Sequence, residues 1–370
     1  MHTQNAAMVL PPREGFAPGG TGAIGLLLER LAGAMPGWHN TVIGMEPSGF
    51  GHVDYRQAKL SWLPAQQWRR YAGGVLAEMR RLKPAIIEVH NRPDVALFLA
   101  QRLPSTPVCL VLNNDPQGMR AARTPAERTA LFATLALVAN STDWLRRRLL
   151  EGVSQGSAVV FPNCLDLRTV PSSPSERDKV ILFAGRVVAD KGVDAFVEAA
   201  GIALPRLPGW RAEIIGGDRF RADSPETDFT RALRPRAAAA GVAMLGYRPH
   251  DQVLAAMSRA AVVVVPSRWP EPFGLTALEA LAAGATLLCS QTGGLPEVCG
   301  DAAVPVSAED PSGMAEAMVR VGSDASLRAN YEAAGRARAA LFDVSIAGAT
   351  LSALRADVLS TWPRRTSRPI

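Results

Sequence analysis

Two glutamates, Glu271 and Glu279, stand eight positions apart in the stretch SRWPEPFGLTALEALAAG (267–284). Four consecutive valines, Val262 to Val265, precede it and read as the end of a buried strand. A Pro-rich loop then carries Glu271, and the pattern predicts a helix opening near Leu275 with Glu279 on its first turn. A helix start presents backbone N–H groups without intrahelical partners and a positive dipole end, so this junction is a ready anion site. Carboxylates flanking an anion site suit a ligand that carries both phosphate and hydroxyl groups. A nucleotide sugar has that chemistry.

A second charged loop belongs with it. The strand-like VILFAG runs into AGRVVADKG (184–192), placing Arg186 and Lys191 just beyond a strand end. Arginine binds phosphate through two parallel N–H bonds, while lysine supplies a compact charge. Lys191 is one of four lysines among 40 basic residues. In the first half, EVHNRPD (88–94) sets His90, Asn91 and Arg92 at a strand end, and His90 is a candidate ligand there. LNNDPQG (112–118) does the same for Asn113 and Asp115. APGGTGAIG (17–25) precedes a helix, and Gly19 and Gly20 allow close backbone approach to a phosphate or sugar. Tyr247 and Arg248 follow the strand-like AMLGY (243–247).

Positioning these residues requires parallel strands with helices between them. Short β-branched runs and helical patterns alternate almost throughout, which is the signature of an α/β fold. Strands are expected at 7–11, 41–45, 85–90, 108–112, 136–140 and 158–162, with helices at 22–34, 65–83, 94–103 and 142–151. The second half repeats the scheme with strands at 180–185, 212–217, 243–247, 261–266, 286–290 and 302–306. PSSPSERD (171–178) reads as a linker between domains 1–170 and 171–344. A cleft between their strand ends is expected, because open α/β sheets bind ligands at the carboxyl ends of their strands. A helix and tail, 345–370, would pack back on the first domain.

The chain has 370 residues, enough for two cores, with 48% hydrophobic and 20% charged residues. No apolar run approaches the roughly 18 residues of a membrane span. The start, MHTQNAAMVLPPREG, lacks the features of a signal peptide, so a cytoplasmic protein is expected. A net charge of +6 suits an anionic ligand or membrane surface, and is too small and too evenly spread to argue for nucleic acid, so no nucleic-acid partner is expected. Arginines at 69, 70, 80, 81 and 146–148 read as solvated helix faces. Their alternative is peripheral contact with anionic lipid at the inner face of a membrane, worth about 1 kcal/mol per basic residue. The four cysteines form no C-x-x-C pair and read as structural thiols. No Asp-x-Asp triplet offers a site for a divalent ion, so no metal is expected.

Taken together, these motifs resemble the E-x7-E signature of retaining glycosyltransferases of family 4. The resemblance covers nearly the whole chain and implies two Rossmann-like domains in the type B arrangement. It implies that Arg186 and Lys191 hold the donor pyrophosphate, that Glu279 binds the ribose hydroxyls and that Glu271 lies against the transferred sugar. Backbone amides of Phe273, Gly274, Leu275 and Thr276 would complete those contacts. Tyr247 falls where the family contacts the base through its backbone, and the Gly19–Gly20 loop would face the donor across the cleft. FPNCLD (161–166) is similar to the family's P-N-G-x-D turn with Cys164 in place of glycine, and QTGGLPEV (291–298) to its G-G-x-x-E segment. Asn113 stands where many members carry a histidine that contacts the donor sugar. The activity implied is metal-independent transfer, with retention, from a nucleoside diphosphate sugar to a glycan, lipid-linked or envelope polysaccharide acceptor. No cofactor is implied beyond the donor, and the domains would close about 171–178.

Rival readings are a nucleotide-sugar epimerase or phosphorylase on the same fold, and a non-catalytic sugar-nucleotide-binding module. Gly20, Gly22 and Gly25 also spell the G-x-G-x-x-G of a dinucleotide fingerprint, with Glu46 ending the next strand. That fingerprint needs its glycines directly after the first strand, whereas Pro11, Pro12 and Pro18 intervene.

Overall fold

Aliphatic, β-branched runs become strands buried on both faces, as parallel strands covered by helices must be. In the computed structural model, which describes residues 3–62, 65–218 and 226–362, the chain divides into two units. The first comprises Met1–Cys164 and Val344–Ile370, the second Leu165–Asp343.

The first unit is built on β1 (Gln4–Val9), β2 (Trp38–Gly44), β3 (Asp54–Gln57), β4 (Ile86–His90), β5 (Val108–Leu112), β6 (Leu137–Asn140) and β7 (Val159–Val160). Among the described residues these form one sheet in the order β3-β2-β1-β4-β5-β6-β7, every pair parallel. Helices α1 (Ala23–Gly33), α2 (Gln67–Leu82), α3 (Pro93–Arg102), α4 (Pro125–Thr134) and α5 (Asp143–Leu150) connect them. Two of these elements were not expected from the sequence. The edge strand β3, Asp-Tyr-Arg-Gln, is too polar to show a strand pattern, and Asp54 instead anchors it by accepting from Thr41 Oγ1 at 2.7 Å. Helix α4 carries a complete capping box between Thr124 and Glu127 with Pro125 at its first position, a signal that was present in the sequence.

The second unit repeats the scheme with β8 (Asp178–Ala184), β9 (Arg211–Ile215), β10 (Val242–Gly246), β11 (Ala260–Val265), β12 (Thr286–Ser290) and β13 (Ala303–Val306). They too are all parallel, in the order β10-β9-β8-β11-β12-β13. Its helices are α6 (Val193–Ala203), α7 (Asp228–Ala239), α8 (His250–Arg259), α9 (Leu275–Ala282), α10 (Leu295–Cys299), α11 (Pro311–Ser323) and α12 (Ala325–Ala340). All six residues of β11 are buried, and each buried valine contributes about 1.5–3 kcal/mol relative to exposure.

The Pro/Ser-rich stretch expected as a linker lies inside the second unit. Arg177 donates to the carbonyls of Ser258, Ala260 and Ala283 at 2.7, 3.1 and 2.7 Å, and Ser173 Oγ donates to that of Ala283 at 2.8 Å. The chain changes unit instead between Cys164 and Leu165 and again between Asp343 and Val344.

The last helix, α13 (Val344–Thr361), belongs to the first unit, where Val344, Ala347 and Leu351 share a core with Met8, Leu27 and Leu28. Arg355, 1% exposed, makes a two-pronged bond to Glu88 of β4 at 2.8 and 2.7 Å and a third to Asn40 Oδ1 at 2.7 Å. A charge this deep is tolerated only with such complete pairing.

Candidate functional site

In the second unit two turns bring Lys191 and Glu271 together. Gly192, at φ +68°, follows Lys191, and a Cβ there would lie 1.9 Å from the carbonyl oxygen of Pro266. Gly293, at φ +63°, presses on the Glu271 backbone, where a Cβ would come within 2.3 Å of its carbonyl oxygen. Gly294 N donates to that same oxygen at 2.7 Å. Neither turn admits a side chain, which gives the G-G segment a definite physical role. The amides of Arg268 and Trp269 both donate to Asp190 O, at 2.9 and 3.0 Å, closing the two loops on each other.

The result is a charged cluster at the carboxyl end of the sheet. Lys191 Nζ donates to Glu271 Oε1, and Ser267 Oγ donates to the same oxygen at 2.8 Å. The side chains of Lys191 and Glu271 are 24% and 12% exposed, sheltered enough that solvent screens them only partly. Next to Glu271, Gly274 starts α9 at φ +93° with no side-chain cap. The first amides of that helix have no acceptor within it. Phe273 turns its ring into the core, edge-on to Phe342 at 5.8 Å, so only its backbone is available there. Leu275 and Thr276 are half-buried at the helix start.

Glu279 is the fifth residue of α9 and lies on its second turn, one turn further in than the sequence suggested. It is 6% exposed, and His250 Nε2 at the start of α8 lies 2.7 Å from its Oε1. Sequence reasoning missed His250, because nothing in local spacing links position 250 to position 279. Arg186 is half-buried just past the end of β8. Tyr247 follows β10, half-buried, and its carbonyl accepts from Arg248 Nη1 at 2.8 Å.

The first unit's strand ends differ. His90 closes β4 and is 1% exposed, with neither ring nitrogen hydrogen-bonded. Burial lowers its pKa to about 4, Arg355 adding to this and Glu88 opposing it, so the ring is neutral near pH 7. Asn91, at φ +52°, accepts from the Asn113 amide through Oδ1 at 2.7 Å. The side-chain amides of Asn113 and Asn140, the hydroxyl of Ser141 and Asn163 Oδ1 are buried without a partner. These residues follow one another across the ends of β4, β5, β6 and β7. Asn140, Ser141 and Asn163 were not singled out by sequence, although Asn163 lies in the FPNCLD turn. Arg92 and Asp115, by contrast, have structural partners: Arg92 grips Asp94 at 2.8 and 2.7 Å, and Asp115 accepts from Arg148 Nε at 2.9 Å.

Gly19 and Gly20 lie on an open loop where a Cβ would touch nothing within 4 Å. The start of α1 is already occupied: Glu14 Oε1 accepts from Gly25 N at 2.9 Å, and burial pushes the Glu14 carboxyl up. A dinucleotide pyrophosphate would need that position, so the fingerprint reading of Gly20, Gly22 and Gly25 fails on charge and space. The arginines of α5 are likewise engaged, Arg146 and Arg147 with Asp143 and Arg148 with Asp115 and Glu151. Among the described residues, no three His, Cys, Asp or Glu side chains are grouped to hold a metal ion, and no helix is long and apolar enough to cross a membrane.

Two all-parallel α/β units, the second with a charged site at a helix start, define the class of fold, a two-domain type B architecture. The sequence relationship is sharper: residues 169–338 match the family Glycosyl transferases group 1. An exopolysaccharide phosphotransferase of Streptomyces coelicolor is 28% identical over 69% of this chain and 27% of its own length. A D-inositol 3-phosphate glycosyltransferase of Streptomyces avermitilis is 25% identical over 92% of this chain and 70% of its own. Glycogen synthase of Mycobacterium tuberculosis is 36% identical over 51% and 45%. Several curated relatives are thus spanned by this chain over less than half their length. The fold is shared with sucrose-phosphate synthase from Thermosynechococcus elongatus, at TM-score 0.76 and 19% identity over 96% of this chain and 99% of that one. It is also shared with Anabaena HepE, solved in complex with UDP, at TM-score 0.77 and 16% identity over 96% and 100%.

Proposed function

We propose that the protein is a retaining, metal-independent glycosyltransferase that moves a sugar from a nucleoside diphosphate sugar to a hydroxyl of a glycan or lipid-linked acceptor. The observation that carries this reading is the Lys191–Glu271–Ser267 cluster at the uncapped start of α9, with Glu279 held by His250 one turn further in. In this reading Lys191, Arg186 and the first amides of α9 stabilise charge developing on the leaving diphosphate. Preorganised groups of this kind are commonly the largest single contribution to such reactions. Glu271 orients the transferred sugar, and Glu279 accepts from the ribose hydroxyls while His250 fixes its carboxylate. Retention follows from front-side attack, with a leaving-phosphate oxygen taking the acceptor proton.

Neutral groups of the first unit suit the acceptor. His90, Asn113, Asn140 and Ser141 offer hydrogen bonds without charge, which matches hydroxyls. His90 is therefore read as a hydrogen-bonding group rather than a charged catalyst. The related names differ on the acceptor, from inositol phosphate to glycogen, so the acceptor is given only by class. HepE is solved with UDP and with UDP-glucose, which makes uridine diphosphate sugars the first donors to test. Peripheral contact with anionic lipid would fall to Arg147, 68% exposed, and its neighbours.

The test is thermal unfolding with UDP, UDP-glucose, other diphosphate sugars and NAD, on the native chain and on Glu279→Ala. A donor at 100 times its dissociation constant stabilises the folded state by about 2.7 kcal/mol. The expected result is a shift by one diphosphate sugar that Glu279→Ala removes. A shift by NAD alone would overturn the reading.

A further inference from the structure

A cavity of about 610 Å³ opens at the carboxyl ends of β11, β12 and β13, beyond the Lys191–Glu271 pair. Its volume falls within the ~300–1,000 Å³ usual for small-molecule pockets. Ser267, Ser290 and Thr292 line it with hydroxyls, and Val306, Ala308 and Met314 give it an apolar side. Ser290 is the telling residue. It is 4% exposed, yet its Oγ has no hydrogen-bond partner. A buried hydroxyl left unpaired costs stability, so a partner arriving from the cavity would be favoured.

The charges around the cavity decide what that partner is. Asp310 lies at the start of α11, and its Oδ1 accepts from Gly313 N at 2.9 Å. That helix end already has its anion. Arg268 is the cation on the wall, and it is committed to Asp194 and Glu309 at 2.7 and 2.9 Å. Burial opposes the charge on Asp194, but its bonds to Arg268 outweigh this and hold the carboxyl below its usual range. Three carboxylates against one guanidinium make the surroundings unwelcoming to phosphate. What remains is a ligand with several hydroxyls, one apolar face and no negative charge.

We propose that this cavity is a second carbohydrate site, which takes an uncharged sugar residue through Ser290, Ser267 and Thr292 with its apolar ring face on Val306 and Met314. It requires neither the donor assignment nor the acceptor assignment made above. Ser267 is shared, since its hydroxyl donates to Glu271 on one side and lines the cavity on the other.

The experiment is calorimetric titration of the full chain, without nucleotide, with maltose, cellobiose, trehalose and glucose 6-phosphate. At least one neutral disaccharide is expected to saturate, with glucose 6-phosphate binding about tenfold more weakly or not at all. Ser290→Leu, which removes the hydroxyl and fills the space, is expected to weaken the neutral sugar by about tenfold or more. Glu309→Arg reverses the charge at a rim side chain that is 77% exposed, releases Arg268 from that pair, and is expected to raise the affinity for glucose 6-phosphate by about tenfold. Lys191→Ala is expected to leave the neutral-sugar affinity within about twofold, which separates this cavity from the charged cluster. The proposal is overturned if no neutral sugar saturates, if the phosphorylated sugar binds the native chain more tightly, or if Lys191→Ala abolishes binding. Survival of binding in Ser290→Leu, together with no response in Glu309→Arg, would also sink it.

Discussion

The two units share one architecture and finish their strands in opposite chemistry. In the second, helix α9 begins at Gly274 with no side-chain cap beside the Lys191–Glu271 pair. In the first, helix α1 begins at Gly22 and is closed by the Glu14 carboxylate. One helix end carries no side-chain cap and the other is filled from within. The residues beyond the strands follow suit: Arg186, Lys191, Glu271 and, within α9, Glu279 carry charged side chains, whereas His90, Asn113, Asn140 and Ser141 are neutral and buried, with polar atoms lacking partners. A parallel sheet supplies the platform in both cases. Which ligand it receives is set by a few residues just beyond it.

The sharpest way to separate the units is to break one of them. Arg355→Ala strands Glu88 in the core and is expected to cost the first unit about 3–5 kcal/mol, with the double variant Arg355→Met/Glu88→Met recovering most of it. Chemical denaturation followed by probes in each unit should show only the first transition moving. If both move together, the comparison must be drawn between regions of one cooperative body instead.

The charged half is tested by Lys191→Ala, for which transfer is expected to fall about 10²–10³-fold in kcat/KM with the fold intact. A fall of less than about tenfold would move the stabilising charge elsewhere, Arg186 first.

The neutral half is tested by pH. The folded-state pKa of His90 is about 4, below its ordinary 6.5, so the unfolded chain takes up the proton first. Stability associated with neutral His90 is complete above pH 6.5 and declines by up to about 3 kcal/mol as pH falls to 4. In His90→Asn that slope should disappear from acid unfolding curves. A slope that persists unchanged would assign it to other groups.

The smallest effect is expected at the filled helix end. Glu14→Ala removes the carboxylate that caps α1 and should lower stability by about 1 kcal/mol, while nucleotide binding is unaffected. A loss of nucleotide binding would place the ligand at both helix ends and remove the contrast between them.

Much of the fold could be read directly. β5 and β12 span the residues expected of them, because continuous runs such as VCLVL and TLLCS suit a strand buried on both faces. β3 escaped because its four polar residues are held by neighbours rather than by their own pattern. The stretch 171–178 looked like a linker by composition, yet carbonyls at Ser258, Ala260 and Ala283 convert it into part of the second unit.

The sequence by itself determined the alternation of strand and helix, the helix opening at Leu275, and the charged residues Arg186, Lys191, Glu271 and Glu279 placed after strands. Those depend on residue type and on periods of two and 3.6, which are local properties. Only the tertiary structure decided that Lys191 meets Glu271, that His250 holds Glu279, that Arg355 locks the last helix to β4, and that Glu14 closes α1. Each of those pairs joins residues that no local period relates, brought together by chain reversals whose turns depend on glycines such as Gly192 and Gly293. Burial decided the rest, because whether a histidine is charged or a hydroxyl unpaired depends on what the fold packs around it.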